Sequence, residues 1–185
     1  MFHWWVGQKP LQTIVFCICL IWIHGCGPNP YDVILKNGKV YDGSGGFFYK
    51  MDVGIQSGQV VAMGKLDETL ATHLLINAEG KMIVPWIPET FKNVAINKDK
   101  VTRYYQAILY KQLKKDTQTI EGALKSVFTQ KVKGAEGGVG LIGTNCAAHI
   151  LVLDLQKTEA YAPALKMPID ALVVEYVFYQ GKALQ

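Results

Sequence analysis

The sequence has few of the residues from which most catalytic and metal sites are built. Only 4 of its 185 residues are histidine, and none lies between His73 and His149. Of 4 cysteines, Cys17, Cys19 and Cys26 fall near the N-terminus, and Cys146 alone lies deep in the rest. There is no CxxC pair with a downstream partner, so a zinc knuckle is excluded, and the uneven placement argues against a disulfide framework. Charged residues make up 18% and the net charge is +4, a balance that does not by itself point to nucleic acid. Gly134, Gly137, Gly138 and Gly140 form a glycine-rich stretch without the Lys-Ser/Thr of a phosphate-binding loop, which leaves a turn as its reading. Internal repeats and long low-complexity segments are absent. What is present is a core: 50% of the residues are hydrophobic, which suits one globular domain with appendages.

Met1 to Gly25 carries a single charge, Lys9, and no acid. Leu11 to Ile23 is a nearly unbroken apolar run of 13 residues, short of the ~20 that a spanning helix needs and within the length of a signal-peptide core. The run ends in Ile23-His24-Gly25-Cys26, which resembles a bacterial lipobox, with an untypical His24. Residues 1–25 therefore read as a signal peptide, Cys26 as a lipid-attachment site and 26–30 as a tether. The expected location is the bacterial cell envelope, with the chain held to the membrane through its lipid. Plain secretion, or anchoring by an uncleaved N-terminal helix, stays open.

Residues 31–86 read as short strands and tight turns. Val33-Ile34-Leu35 and Val40-Tyr41 flank Asn37-Gly38, a strong hairpin signal. Met51, Val53 and Ile55 alternate with polar or small residues, as in a half-buried strand, and Ser57-Gly58 turns the chain into Val60–Met63. Leu74–Asn77 and Lys81–Val84 flank Ala78-Glu79-Gly80 and complete a predicted meander. The pattern then becomes helical. Val101, Tyr105, Ile108, Leu109 and Leu113 share one face of a helix over 99–115, and a second helix is predicted over 120–130. Ile150–Leu153 and Val173–Tyr179 read as buried strands, with Gln180-Gly181 turning into a short last strand.

The ordered set Asn37-Gly38, Asp42-Gly43-Ser44-Gly45-Gly46, Asp52-Val53-Gly54-Ile55 and Ala78-Glu79-Gly80 leading to Pro85 resembles the N-terminal part of the zinc-dependent amidohydrolases. The N-acyl-D-amino-acid deacylases are the most similar type. Glu121 to Val127 resembles their late helix. Val139–Ile142 with Ala147–Asp154 resembles a late strand, and Glu175–Lys182 resembles their closing strand and turn. In that family the end segments fold into a small composite β-sandwich, and a long middle forms a (β/α)₈ barrel that holds the metals. The resemblance thus implies a mainly β fold with about two bridging α-helices. Residues 31–86 and 134–185 supply the two halves of the sandwich, and 87–133 replaces the barrel.

The departures bear on function. After Pro85 the family continues into Gly-Phe-Ile-Asp-x-His-x-His, whose histidines help to ligate zinc; here the chain reads Trp86-Ile87-Pro88-Glu89. A (β/α)₈ barrel takes about 250 residues, and far fewer separate the two halves here. No barrel, no catalytic residue and no metal ligand are therefore expected, and no cofactor, although the resembled family uses zinc. Three readings compete: a non-catalytic remnant, a membrane-anchored lipoprotein binding module, and a hydrolase with an unfamiliar site. The third has no visible cluster of acid, base and nucleophile. His149 reads as structural, His73 as solvated and Cys146 as a buried thiol. Residues 92–133 hold ten Lys or Arg against three acids, either a solvated face or one that meets anionic lipid headgroups. No nucleic acid is expected, and the sequence names no protein partner.

Overall fold

A computed structural model describes residues 30–92, 94–115, 120–132, 140–154 and 172–185. Cys26, the expected signal peptide and tether up to residue 29, and most of the glycine-rich stretch lie outside these residues. The described chain contains eight strands and two α-helices, and no barrel forms among them. The strands are β1 (Tyr31–Val40), β2 (Tyr49–Gln56), β3 (Gln59–Gly64), β4 (Ala71–Asn77), β5 (Lys81–Pro85), β6 (Ile150–Asp154), β7 (Val173–Tyr179) and β8 (Lys182–Ala183). The helices are α1 (Lys98–Lys115) and α2 (Ile120–Val132).

All eight strands join one hydrogen-bonded sheet in the order β3-β2-β1-β5-β6-β7-β8, with β4 also paired to β1. The sheet folds over on itself. The β2–β3 turn at Ser57-Gly58 and the β7–β8 turn at Gln180-Gly181 would lie roughly 24 Å apart in a flat sheet. Instead both meet Ala148, whose N–H donates to the Gly58 carbonyl at 2.9 Å and whose carbonyl accepts from Gly181 N–H at 3.0 Å. The outcome is the expected sandwich, with Val33, Leu35, Val53, Ile55 and Ile76 packed against Ile83, Ile150, Val152 and Phe178.

Asn37-Gly38 is not a hairpin turn. It lies inside β1 as a bulge, with Asn37 at φ 59°, and β1 pairs on both sides of it with β2. The buried Asp52 carboxylate holds this bulge, accepting from Asn37 N–H at 2.8 Å and from Leu66 N–H at 2.9 Å. Ladder pairing to β2 and β5 outweighs the local turn preference, because it satisfies more backbone groups than an isolated turn could. A Cβ at residue 38 would overlap the Ile83 side chain, so glycine is needed where β5 crosses the bulge. The predicted meander is corrected likewise. β4 and β5 are not a hairpin; each runs parallel to β1, β4 along Tyr31–Lys36 and β5 along Lys39-Val40.

β5 then pairs antiparallel with β6 along its whole length, Lys81 opposite Asp154 and Pro85 opposite Ile150. This ladder joins the two ends of the chain. Both faces of β6 are buried. Ile150 and Val152 enter the sandwich interior, while Leu151 and Leu153 face the helices. The helices cover that second face: Val101, Tyr105 and Leu109 of α1 with Ala123, Leu124, Val127 and Phe128 of α2 pack on Met82, Val84, Trp86 and Val177. Asn97 caps α1, its side-chain oxygen accepting from Lys100 N–H at 2.9 Å. Gln106 of α1 donates to Leu172 O at 2.8 Å, tying the helix to the start of β7. Tyr105 lies within this core and Tyr104 packs at its edge, as their helical spacing implies, while Tyr110 is half-buried.

Candidate functional site

The two positive-φ turns that meet at Ala148 frame an open cleft at one end of the sandwich, with a volume of about 740 Å³. Ser57 and Gly58 lie at φ 50° and 82°, and Gln180 and Gly181 at 47° and 72°, the geometry of tight turns that suit the twist of their strands. Asp32, His73, Leu74, Phe178, Gln180 and Lys182 contribute to its walls. Asp32 accepts from Ser57 N–H at 2.6 Å through one oxygen, and the other lies 3.6 Å from His73 Nδ1. His73 Nδ1 is also 3.1 Å from Thr72 Oγ1.

Asp32 and His73 lie 41 positions apart in sequence. They meet because β4 runs parallel to β1 with Tyr31 opposite Ala71 and Val33 opposite Leu74, so that Thr72 and His73 together face Asp32. Such a bulge turns a side chain out of the regular alternation. No sequence signal marked this pair, since the parallel register was hidden behind the hairpin expected at Asn37-Gly38. The exposure of His73, at 75%, keeps its attraction to Asp32 weak.

His149 sits elsewhere, buried in the wall between the sandwich and the helix layer. Its ring packs against Trp86 with centroids 5.8 Å apart and against Tyr179 at 5.1 Å. Its Nδ1 accepts from Gln180 N–H at 3.3 Å, which puts the proton of the neutral ring on Nε2. This agrees with the structural reading. Burial holds the His149 pKa below the usual histidine value, and the Glu89 carboxylate partly offsets that shift. The unfolded chain therefore takes up this proton more readily than the folded one. Stability is unaffected by the group above about pH 6.5 and falls as the pH drops below that value. Urea midpoints measured from pH 7.5 to pH 5 are expected to fall more steeply for the wild type than for His149→Gln. The difference is bounded by one proton, or about 1.4 kcal/mol per pH unit.

Cys146 is half-buried rather than fully buried, in the turn where its N–H donates to Gly143 O at 2.9 Å. Among the described residues no three His, Cys, Asp or Glu side chains come together in a way that could hold a metal ion. No described helix is long and apolar enough to cross a membrane. The strand end at Pro85, where the resembled family carries its first metal-binding histidines, is followed by Trp86. That side chain is fully buried, and its Nε1–H donates to Phe178 O at 2.7 Å.

Comparison with solved structures finds N-acyl-D-glutamate deacylase from Bordetella bronchiseptica, seen with zinc and a phosphonate inhibitor, at 27% identity and a TM-score of 0.29. The match covers 30% of this chain and 12% of that one. D-aminoacylase matches at 24% identity and a TM-score of 0.29, over 44% of this chain and 16% of its own. L-hydantoinase from Arthrobacter aurescens matches at 28% identity and a TM-score of 0.26, over 31% and 12%. These structural neighbours are amidohydrolases. The matched part is a small fraction of each of them. No protein-family model matches the chain, and no curated protein matches it.

Proposed function

We propose that this chain is a non-catalytic, amidohydrolase-like β-domain of the bacterial envelope, held to the membrane by lipid on Cys26. Trp86 is the observation that supports the first half of this reading. In the resembled family the strand that ends at Pro85 delivers metal-ligating histidines into a barrel. Here the next side chain is an indole turned into the core, bonded to β7 and packed edge-on against Phe91 with centroids 5.9 Å apart. The chain uses this strand end to fasten its two halves together, and α1 and α2 cover the face on which a barrel would rest. The lipid anchor rests on the lipobox-like run that ends in Cys26.

Zinc content and hydrolysis of an N-acyl-D-amino acid by the purified chain, measured together, test the absence of catalysis. Zinc below stoichiometry and no turnover is the expected result, whereas stoichiometric zinc with turnover overturns the reading. Cys26→Ser tests the anchor separately: the protein is expected to leave the membrane fraction, and unchanged fractionation counts against lipidation. A binding module remains the second reading. It draws its support from the open cleft lined by Asp32, His73 and Lys182.

A further inference from the structure

β4 has one paired edge and one open one. It is bonded to β1 and, among the described residues, to no other strand. Ala78 N–H, just past the end of β4, donates to Lys36 O of β1 at 2.7 Å. Backbone groups alternate in direction along a strand, so Leu74 and Ile76 also turn theirs to β1, while His73, Leu75 and Asn77 turn theirs outward. Of these outward groups the Asn77 carbonyl is engaged, by the Lys81 ammonium at 3.2 Å. The opposite edge of the sheet is covered: Val60 N–H of β3 donates to Cys146 O at 2.9 Å, and Val60 O accepts from Asn145 N–H at 2.8 Å. Edge strands that stay unpaired are usually blunted by charge, proline or a cover. β4, which reads ATHLLIN, has no Lys, Arg, Asp, Glu or Pro, and Leu75 is 46% exposed. Its bulge affects the first residues only. A row of outward N–H and C=O groups at strand spacing is matched by another extended backbone.

The strand is complementary to itself. Antiparallel pairing about Leu75 sets Leu75 opposite the partner's Leu75, Leu74 opposite the partner's Ile76 and His73 opposite the partner's Asn77. Apolar meets apolar, polar meets polar, and no charge faces a like charge. Leu75 turns its backbone groups outward, so the central pair exchanges both of its hydrogen bonds. His73 holds Nδ1 toward Asp32 and Thr72, which leaves Nε2 for the side-chain amide of the partner's Asn77. We propose that β4 pairs in this register with β4 of a second copy of the chain, across a two-fold axis at Leu75. One sheet then runs unbroken from β3 of one copy to β3 of the other. Pairing also extends the cleft: His73 and Leu74 are among its wall residues, and the partner's Asn77 and the partner's Ile76 come opposite them. The proposal rests neither on the Cys26 anchor nor on the absence of catalysis.

A single strand pair is a small interface, so the dimer is expected to be reversible and concentration-dependent. The test is sedimentation of the purified full chain over a range of concentrations, with amide hydrogen exchange read at Leu75 and Asn77. A dimer is expected to form as the concentration rises, with exchange at both amides slowing in step. Leu75→Lys sets two ammonium groups together at the axis and is expected to weaken the dimer about tenfold or more, as is Leu75→Glu with its two carboxylates. An equal mixture of the two variants is expected to recover the dimer, because the axis then holds one pair of opposite charges. That recovery also shows that both variants are folded. A dimer that survives both variants, or association that leaves exchange at Leu75 and Asn77 unchanged, overturns the proposal. A chain that stays monomeric at every concentration overturns it as well and leaves the edge to an extended segment of another protein.

Discussion

Trp86→Ala is expected to destabilise the chain by about 3–5 kcal/mol, the largest effect of any single side-chain truncation here. The indole is fully buried and touches three other rings, those of Phe91, His149 and Tyr179. Its removal leaves a cavity between β5, β7 and the helix layer, and it leaves the Phe178 carbonyl without its donor. A small domain has about 5–15 kcal/mol in total, so this loss takes a large share of it. Urea denaturation is expected to show a midpoint lowered by about 2 M, given a slope of about 2 kcal/mol per molar for a protein of this size. Trp86→Phe keeps most of the volume and loses the hydrogen bond, so its cost is expected to be about 1–3 kcal/mol. If both variants unfold at wild-type urea concentrations, Trp86 is not the fastening between the two halves, and the proposal that it replaces a metal-ligating strand end loses its support.

Gly181→Ala is expected to cost about 2–4 kcal/mol, for two reasons that act together. The residue lies at φ 72°, where an added Cβ is strained, and that Cβ would sit 2.9 Å from Gly58 Cα. The neighbour is backbone and is itself held in a tight turn, so it cannot give way as a flexible side chain would. Gly64→Ala is the control. Its φ of 133° imposes strain, yet nothing lies within 4 Å of the added carbon. Backbone strain alone makes Gly64→Ala the costlier of the two, so a cost at 181 that equals or exceeds it reports the close approach of the two turns. Hydrogen exchange in Gly181→Ala is expected to quicken at Gly181 and Leu184, whose N–H groups donate to Ala148 and Val177. A cost at 181 well below that at 64 would show that the two turns do not press on one another.

The same contact explains why the site was harder to read than the fold. The strand at Met51–Ile55 was legible because its apolar side chains alternate with polar or small ones, and those at Ile150–Leu153 and Val173–Tyr179 as short, mostly apolar runs of strand-forming residues. The helical stripe of Val101, Tyr105 and Leu109 was legible for the equivalent reason, and so was its role as cover for an apolar sheet face. Cleft residues carry no such periodic mark. Asp32 and His73 are single polar residues on different strands, and only the register of β4 against β1 makes them neighbours.

Local chemistry misled at one place. Asn37-Gly38 has the residues of a two-residue hairpin turn, and the backbone there does take the positive φ that those residues tolerate. Yet the chain continues straight on as β1, because Asp52, β2 and β5 satisfy its backbone groups in that form. A dipeptide reports which conformations are allowed to it, and the partners across the sheet choose among them.

The amino-acid sequence by itself determined the mainly β class, the two helices and their buried faces, the turns at Ser57-Gly58 and Gln180-Gly181, and the absence of metal-ligating histidines after Pro85. All of these follow from short-range patterns of polarity and backbone preference. Only the tertiary structure decided that the sheet folds over until two distant turns meet at Ala148, that β4 and β5 both run parallel to β1, and that Trp86 fastens the halves. Those outcomes depend on pairings between residues far apart in the chain, where the choice is made by which backbone groups and apolar faces are satisfied together, and no local segment carries that information.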